Sequence, residues 1–557
     1  MTGDPAVLGP DGLTLGDMER VTAGARLELD PAVVQRIERS HRRLRRYLSE
    51  DRLIYGVTTG YGALADREVG ADYSAELQVN LIAHLSAGVG EPLSRHHTRA
   101  LIAARIATLA RGHSGVSLAA VEGLLRLLNQ DALPAVPSMG TVGASGDLTP
   151  LAHVAGALMG KGNMRHAGGP EEPAETVLRR IGMRPLEHRG KDAIALVNGT
   201  AAMTGIAACN SSLAHRAVRW SALLSAVHDN VLGGRGAEAW HPSFGEVRRH
   251  PGQRLAHAWL NALLQGADAT HAGTDTQQVA RGRIQQRTEC IQDPYTLRCA
   301  PQLLGAVIDQ LSWHDQLVET ELNSVTDNPI LPDGLDVVLH GGNFFGQHVA
   351  FAADGLANAV TMLAVHAERR IARLANPRLN RGLPAFLQGY QTGLNSGFMG
   401  AQVTASALLA EMRTLSTPAS IQSIPTNGDN QDVVTMGTIA ARRCGQLLNL
   451  CFRILAIDAL MLAQAVDLRK AEERPSCFVR PSSKVLHEWV RRYAEFLRKD
   501  RSLGPEIEVM ANAMRDSAGP VDTLAAFSRS PCHAGAADDY QKPPTDQQEK
   551  SNTAGGT

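Results

Sequence analysis

The chain has 557 residues, 44% of them hydrophobic, which is enough apolar material for one large or two medium cores. Its formal charge of −1 gives no basis for nucleic acid or an anionic membrane surface as a partner. Seven cysteines without a CxxC pair predict reduced thiols in a cytoplasmic protein, and no metal site is indicated. No leader peptide is expected, because no basic start precedes an apolar run, and no uninterrupted apolar stretch reaches membrane length.

In chain order, residues 1–28 read as a loose lead-in. Asp30 followed by Pro31 starts a charged helix predicted to run to about Ser49. Tyr55-Gly-Val-Thr-Thr-Gly-Tyr-Gly62 is a glycine-punctuated loop with two tyrosines. Alone it reads as a surface turn, although such a loop can also act as a mobile lid. Leu77, Leu81 and Leu85 predict a helix ending at Gly88, with His84 beside its apolar face. Two helices are expected over 97–130.

Residues 140–153 read Gly-Thr-Val-Gly-Ala-Ser-Gly-Asp-Leu-Thr-Pro-Leu-Ala-His. Gly140, Gly143 and Gly146 permit a tight turn that a Cβ would forbid, and Pro150 suits the first turn of a following helix. A phosphate-cradling loop is a poor fit, because no Lys follows the last Gly and Asp147 would repel an anion. Residues 161–190 shift to Gly, Pro and charge and read as a surface excursion. A short apolar run then ends at Asn198-Gly199, ordinarily a turn signal.

Residues 201–232 are apolar and helical by pattern, and 236–284 are polar and weakly patterned. In Gln292-Asp-Pro-Tyr295-Thr-Leu-Arg298, three polar groups at i, i+3 and i+6 could face a common cleft. Long helices are then predicted over 303–324, from Phe344 to Ala375 and from Asp432 to about Leu468. Asn343 and Phe344 would open the second of these, and Asn427-Gly-Asp-Asn430-Gln431-Asp432 would cap the third. Helices this long indicate a bundle rather than a sheet protein. From about Phe527 the composition predicts a disordered tail. The expected organisation is a lead-in (1–28), a catalytic region (29–200), a helical bundle (201–526) and a tail (527–557).

As one string, residues 140–153 resemble the signature of the aromatic amino acid ammonia-lyase and aminomutase family, and the resemblance extends over roughly residues 30–515. It implies a mainly α fold: an elongated long-helix bundle with an N-terminal region of loops and shorter helices. It also implies that Ala144-Ser145-Gly146 cyclises autocatalytically into 4-methylidene-imidazole-5-one (MIO), with no metal. The Gly146 nitrogen attacks the Ala144 carbonyl carbon, and dehydration leaves an electrophilic methylene at Ser145. Small residues around the turn make that close approach possible.

Position by position, the resemblance makes Tyr55 the catalytic base, within the loop that ends at Gly62. Free tyrosine ionises at about pH 10, so a base there needs a stabilised phenolate. Arg298 would bind the substrate carboxylate through a bidentate fork. Asn198, Tyr295 and Gln292 would adjoin the electrophile. His84, Leu85 and Leu148 would line the ring pocket, and Asn343, Phe344, Asn430 and Gln431 would complete the site. His84-Leu85 is the pattern of tyrosine-specific lyases, whereas histidine-specific members carry a glutamate where this chain has Gln431. The expected reaction is elimination of ammonia from L-tyrosine to give trans-4-coumarate. The alternatives are a tyrosine 2,3-aminomutase, a phenylalanine or histidine lyase, and an inactive helical scaffold. The implied assembly is a homotetramer with each site built from three subunits; neither nucleic acid nor membrane is an expected partner.

Overall fold

The computed structural model of the chain describes residues 4–187, 189–264, 284, 290–471 and 480–527. Short elements come first: β1 (Ala6–Leu8), α1 (Leu15–Ala23), β2 (Leu27–Leu29), α2 (Pro31–Ser49), α3 (Ser74–Leu85), β3 (Val89–Pro92), α4 (Arg95–Ala110), α5 (Leu118–Asn129), β4 (Ala132–Pro134), β5 (Pro137–Met139), α6 (Leu148–Leu158), β6 (Asn163–His166), β7 (Glu171–Pro173), α7 (Ala174–Arg180) and α8 (Asp192–Val197). The helical part follows: α9 (Ala201–Leu232), α10 (Gly236–Ala239), α11 (Ser243–Val247), α12 (Pro251–Leu263), α13 (Tyr295–Arg298), α14 (Ala300–Leu322), α15 (Gln347–Ala375), α16 (Met399–Leu415), α17 (Gly437–Ala471), α18 (Pro481–Val490), α19 (Gly504–Asp516) and α20 (Pro520–Thr523). The fold is mainly α, as the long apolar periodicities require.

Besides a small one around Leu44, Tyr47, Ile54, Val57 and Leu331, two large apolar cores organise the described residues. One gathers the N-terminal elements with the ends of several long helices, and the other fills the bundle formed by α9, α12, α14, α15 and α17. Helix α9 belongs to both: Ala201 to Ala208 pack in the first core, and Ala214 onward in the second. With 32 residues, it spans about 48 Å. Gly233 ends it in the left-handed conformation, its N–H capping the Asn230 carbonyl.

Several expectations need correction. The lead-in has regular structure: β1 pairs in parallel with β2, and a Thr14–Asp17 capping box opens α1, which buries Met18 and Val21. The excursion at 161–190 contains β6 and β7, which add to β4 to make a three-stranded ribbon, and α7, which buries Val177 and Leu178. Helix α3 ends at Leu85 instead of Gly88, because the chain turns into β3, which pairs with β5. Helix α15 starts at Gln347 instead of Phe344, after a turn in which Phe345 N–H donates to the Gly342 carbonyl. The third long helix begins at Gly437, so residues 427–432 form a turn ahead of it and do not cap it. Helices α15 and α17 are long and apolar enough to cross a membrane by length and composition, but charged residues such as Asp354 and Asp458 interrupt them, and 61% and 78% of their apolar windows are buried inside the protein. The tail beyond Phe527 and much of 265–289 lie outside the described residues.

Candidate active site

The Ala144-Ser145-Gly146 turn is clamped from three sides. On one side its backbone pairs with Gly199, as Asp147 N–H donates to the Gly199 carbonyl at 2.8 Å. A Cβ on Gly146, whose φ is +68°, would lie 2.2 Å from that oxygen, so only glycine fits. On the second side, Met436 N–H donates to the Val142 carbonyl at 2.9 Å and Thr435 Oγ1 to the Gly143 carbonyl at 3.1 Å. On the third, Gln431 Nε2 donates to Ser145 Oγ at 3.3 Å, while Thr426 Oγ1 donates to Gln431 Oε1 at 2.9 Å. The Thr426 bond fixes the amide so that its nitrogen faces Ser145.

Asp147 anchors the turn from beneath. It is fully buried, and its carboxylate accepts from Met203 N–H at 2.8 Å and from the Thr438 hydroxyl. The first of these caps the N-terminus of α9, where Thr200 makes no side-chain cap. Burial nevertheless pushes the Asp147 carboxyl up to about 6. Arg105 lies behind the Asn198–Gly199 turn with its Nε donating to the Ala195 carbonyl at 3.0 Å, and burial lowers its guanidinium to about 10. A buried ion pair, Lys191 Nζ to Asp327 Oδ2 at 2.5 Å, ties the loop before α8 to the segment after α14.

The tyrosine loop packs against α8 through Gln78, a buried polar residue on α3. Its amide nitrogen donates to the Gly56 carbonyl and to Tyr61 Oη, and its carbonyl accepts from Ala193 N–H at 3.1 Å. Tyr55 is half-buried and its phenol oxygen accepts from Gly62 N–H at 2.9 Å. That donor fixes where the oxygen sits. The neighbouring Tyr61 meets Tyr55 edge to face, and burial pushes its phenol above the ordinary tyrosine range, so it stays protonated.

Most of the expected residues gather at this end. Asn198 directly precedes Gly199 and is buried, with its Oδ1 lacking a hydrogen-bond partner among the described residues. Leu85 and Leu148 are half-buried against the same core, and His84 is exposed in the last turn of α3, which packs on α6. Asn343 donates to the Val325 carbonyl at 3.1 Å, and Phe344 precedes Gly346, which is pressed against Thr200 and Met203. Asn430 is exposed in the turn closed by the Thr426–Gln431 bridge, and Gly62 adjoins Asn427 of that turn.

Gln292, Tyr295 and Arg298 do not join them. Arg235 N–H, just past the C-terminus of α9, donates to Asp293 Oδ2 at 2.6 Å, which holds this segment at the opposite end of that helix. Within one chain the two groups are therefore separated by about the length of α9, on the order of 48 Å. Helix α13 covers only residues 295–298, so Gln292 sits in the preceding loop and not on a shared helical face. Gln292 and Arg298 line one groove of about 170 Å³, while Tyr295 is 71% exposed and lies under the Arg298 guanidinium at 4.6 Å. A larger hollow of about 680 Å³, bordered by Arg95, Asp131, Arg165 and Glu171, contains none of the expected residues.

Sequence reasoning missed Gln78, Thr426, Thr435 and Thr438. The only available signal was a polar residue at a core position of α3. It also read Asp147 merely as an obstacle to anions.

Residues 13–492 match the aromatic amino acid lyase family. The chain is 48% identical over 492 residues to a tyrosine ammonia-lyase of Cereibacter sphaeroides, covering 88% of this chain and 93% of that protein. It is 41% identical to a tyrosine ammonia-lyase of Cupriavidus metallidurans, covering 92% and 97% respectively. Its fold superposes on the crystal structure of a tyrosine aminomutase from Streptomyces globisporus with a TM-score of 0.86 at 36% identity, covering 94% of this chain and 98% of that one. With the glycine-clamped Ala-Ser-Gly turn in place at the head of α9, the chain belongs to the aromatic amino acid lyase family.

Proposed function

We propose that the chain is a tyrosine ammonia-lyase, acting as a homotetramer that eliminates ammonia from L-tyrosine to give trans-4-coumarate. The observation that carries this reading is the Gln431 amide, 3.3 Å from Ser145 Oγ. A neutral amide at that position disfavours an imidazole substrate, and the two tyrosine ammonia-lyases similar along most of the chain support the same choice.

The turn suits MIO: Gly146 has no room for a Cβ, and the buried Asn198 Oδ1 beside its partner Gly199 has no other bond to make among the described residues. Formed from Ala144-Ser145-Gly146, MIO would supply an electrophile that makes the substrate amine a competent leaving group. Tyr55 removes the β-proton onto its phenol oxygen, which the Gly62 N–H holds in place. Arg298 grips the carboxylate with a planar pair of N–H donors, and Tyr295 stands beside it. His84 bonds the ring hydroxyl, and Leu85 and Leu148 pack the ring. Because Arg298 lies about one α9 length from Ser145 in the same chain, the carboxylate-binding turn must come from another copy.

Purified protein incubated with L-tyrosine, L-phenylalanine and L-histidine tests the reading, with products identified by mass and NMR. Coumarate and ammonia in equal amounts from tyrosine are expected. Accumulating β-tyrosine would make the chain an aminomutase, and no turnover of any of the three would leave a scaffold.

A further inference from the structure

The α13 turn that carries Tyr295 and Arg298 is too short to hold itself in place, and it borrows its rigidity from the bundle. Asp293 is fixed by Arg381 Nη2 at 2.6 Å and by Arg235 N–H, and Trp240 Nε1 donates to the Leu297 carbonyl at 3.0 Å. The Thr296 carbonyl, between Tyr295 and Arg298, faces His366 Nε2 at 2.8 Å. The other ring nitrogen, Nδ1, lies 2.9 Å from Arg370 Nη1. A guanidinium can only donate, so Nδ1 must be the acceptor and Nε2 must carry the proton given to Thr296. Arg370 is itself fully buried and held by Asp458 Oδ2 at 2.7 Å and Ser225 Oγ at 3.0 Å. The chain of bonds runs Asp458–Arg370–His366–Thr296 and joins α17, through α15, to α13.

We propose that His366 is a positioning residue for the reaction, its tautomer locked by the buried Arg370–Asp458 pair so that its Nε2–H holds the Tyr295–Arg298 turn in carboxylate-binding geometry. The assignment rests on the reading of Arg298 given under Proposed function. Burial and the adjacent Arg370 lower the imidazole to about 3, so the neutral form required by this bonding is the one present near neutrality.

Three variants separate this role from simple packing. His366→Gln places an amide N–H at the reach of Nε2 and keeps the bond to Thr296. His366→Asn reaches only as far as Nδ1, keeping an acceptor for Arg370 but losing Thr296. His366→Leu loses both. The inhibition constants of trans-4-coumarate and of 4-vinylphenol, which has the same ring without the carboxylate, are measured on each variant alongside Tm. In the Asn and Leu variants coumarate should weaken by about tenfold, the scale of one buried hydrogen bond, while 4-vinylphenol is unchanged. The Gln variant should stay within about threefold of wild type for both ligands. Equal weakening of both ligands, unchanged coumarate binding, or Asn performing as well as Gln overturns the proposal. If the Leu variant does not fold, the Gln–Asn pair still decides. Wild-type turnover, measured first, reports separately on the tyrosine reading, and a phenylalanine-specific result moves the same comparison to cinnamate and styrene. A wild type that turns over no aromatic amino acid overturns both.

Discussion

Gly199 seats its carbonyl against Gly146 so closely that a single methyl on either residue would collide: at Gly146 with the Gly199 oxygen at 2.2 Å, at Gly199 with Arg105 Nη1 at 2.3 Å. Gly199→Ala also forces a side chain into a φ of +142°. This variant should lose about 2 kcal/mol or more of stability and keep the unmodified mass, because the turn can no longer close. Ser145→Ala should also keep the unmodified mass, for a different reason: no hydroxyl remains to expel. It should fold with a Tm near wild type and lose activity by several orders of magnitude. Intact mass and thermal melts on both variants distinguish a broken cradle from a missing electrophile. A wild-type enzyme that is active at its unmodified mass refutes the MIO assignment.

Tyr55→Phe removes the oxygen that accepts from Gly62 N–H and leaves the loop contacts made through Gly56 and Tyr61. Proton removal occurs only in the transition state, so kcat should fall steeply with little change in KM. Exchange of the substrate β-hydrogen in deuterated solvent provides the check. If exchange persists at the wild-type rate, the base is another group, with Tyr295 the next candidate.

His84→Phe concerns substrate choice. A buried phenol without a partner costs about 1–3 kcal/mol, so removing the imidazole should shift the ratio of kcat/KM for tyrosine over phenylalanine by about tenfold or more. A histidine that is only a helix residue would lower both values together. An unchanged ratio would remove His84 as the partner of the ring hydroxyl.

Asp147 ties stability to pH. Its carboxyl holds its proton up to about 6 in the folded protein against an ordinary value of 3.8. The native state therefore binds this proton more tightly than the unfolded chain does. Its contribution is present below the ordinary value and is lost as pH rises to about 6, after which it is flat. Asp147→Asn cannot ionise, so urea midpoints of wild type and variant should converge or diverge only across that window. Below that window the variant should stay close to wild type, because an amide, like the protonated carboxyl, keeps one oxygen to accept from Met203 N–H and one hydrogen to donate toward Thr438 Oγ1. Parallel pH profiles for the two proteins would show that Asp147 does not titrate there.

Local signals were legible and long-range ones were not. The start of α2 was readable because Asp30 and Pro31 act on their own helix: the Asp30 side chain accepts from Ala32 N–H. The start of α17 was misplaced by several residues because Met436 and Thr435 spend their polar groups on Val142 and Gly143, nearly 300 positions away in sequence. Thr438 and Gln78 look like stray polar residues in apolar helices until their partners, Asp147 and Ala193, are placed beside them. The Tyr295 and Arg298 motif was legible as a string, yet nothing in its spacing told that it stands one α9 length from Ser145 in the same chain.

The span of α9 has a genetic consequence. Under the proposed function each chain carries the Ser145 turn at one end and the Arg298 turn at the other, so a lesion in one half leaves the other half intact. Two dead alleles, Ser145→Ala and Arg298→Gln, should complement each other when co-expressed, since mixed assemblies pair an unaltered Ser145 turn with an unaltered Arg298 turn. Each allele alone should stay silent, and the mixture should recover a fraction of wild-type turnover set by how the chains combine. Mixing the purified homo-oligomers without subunit exchange should recover none.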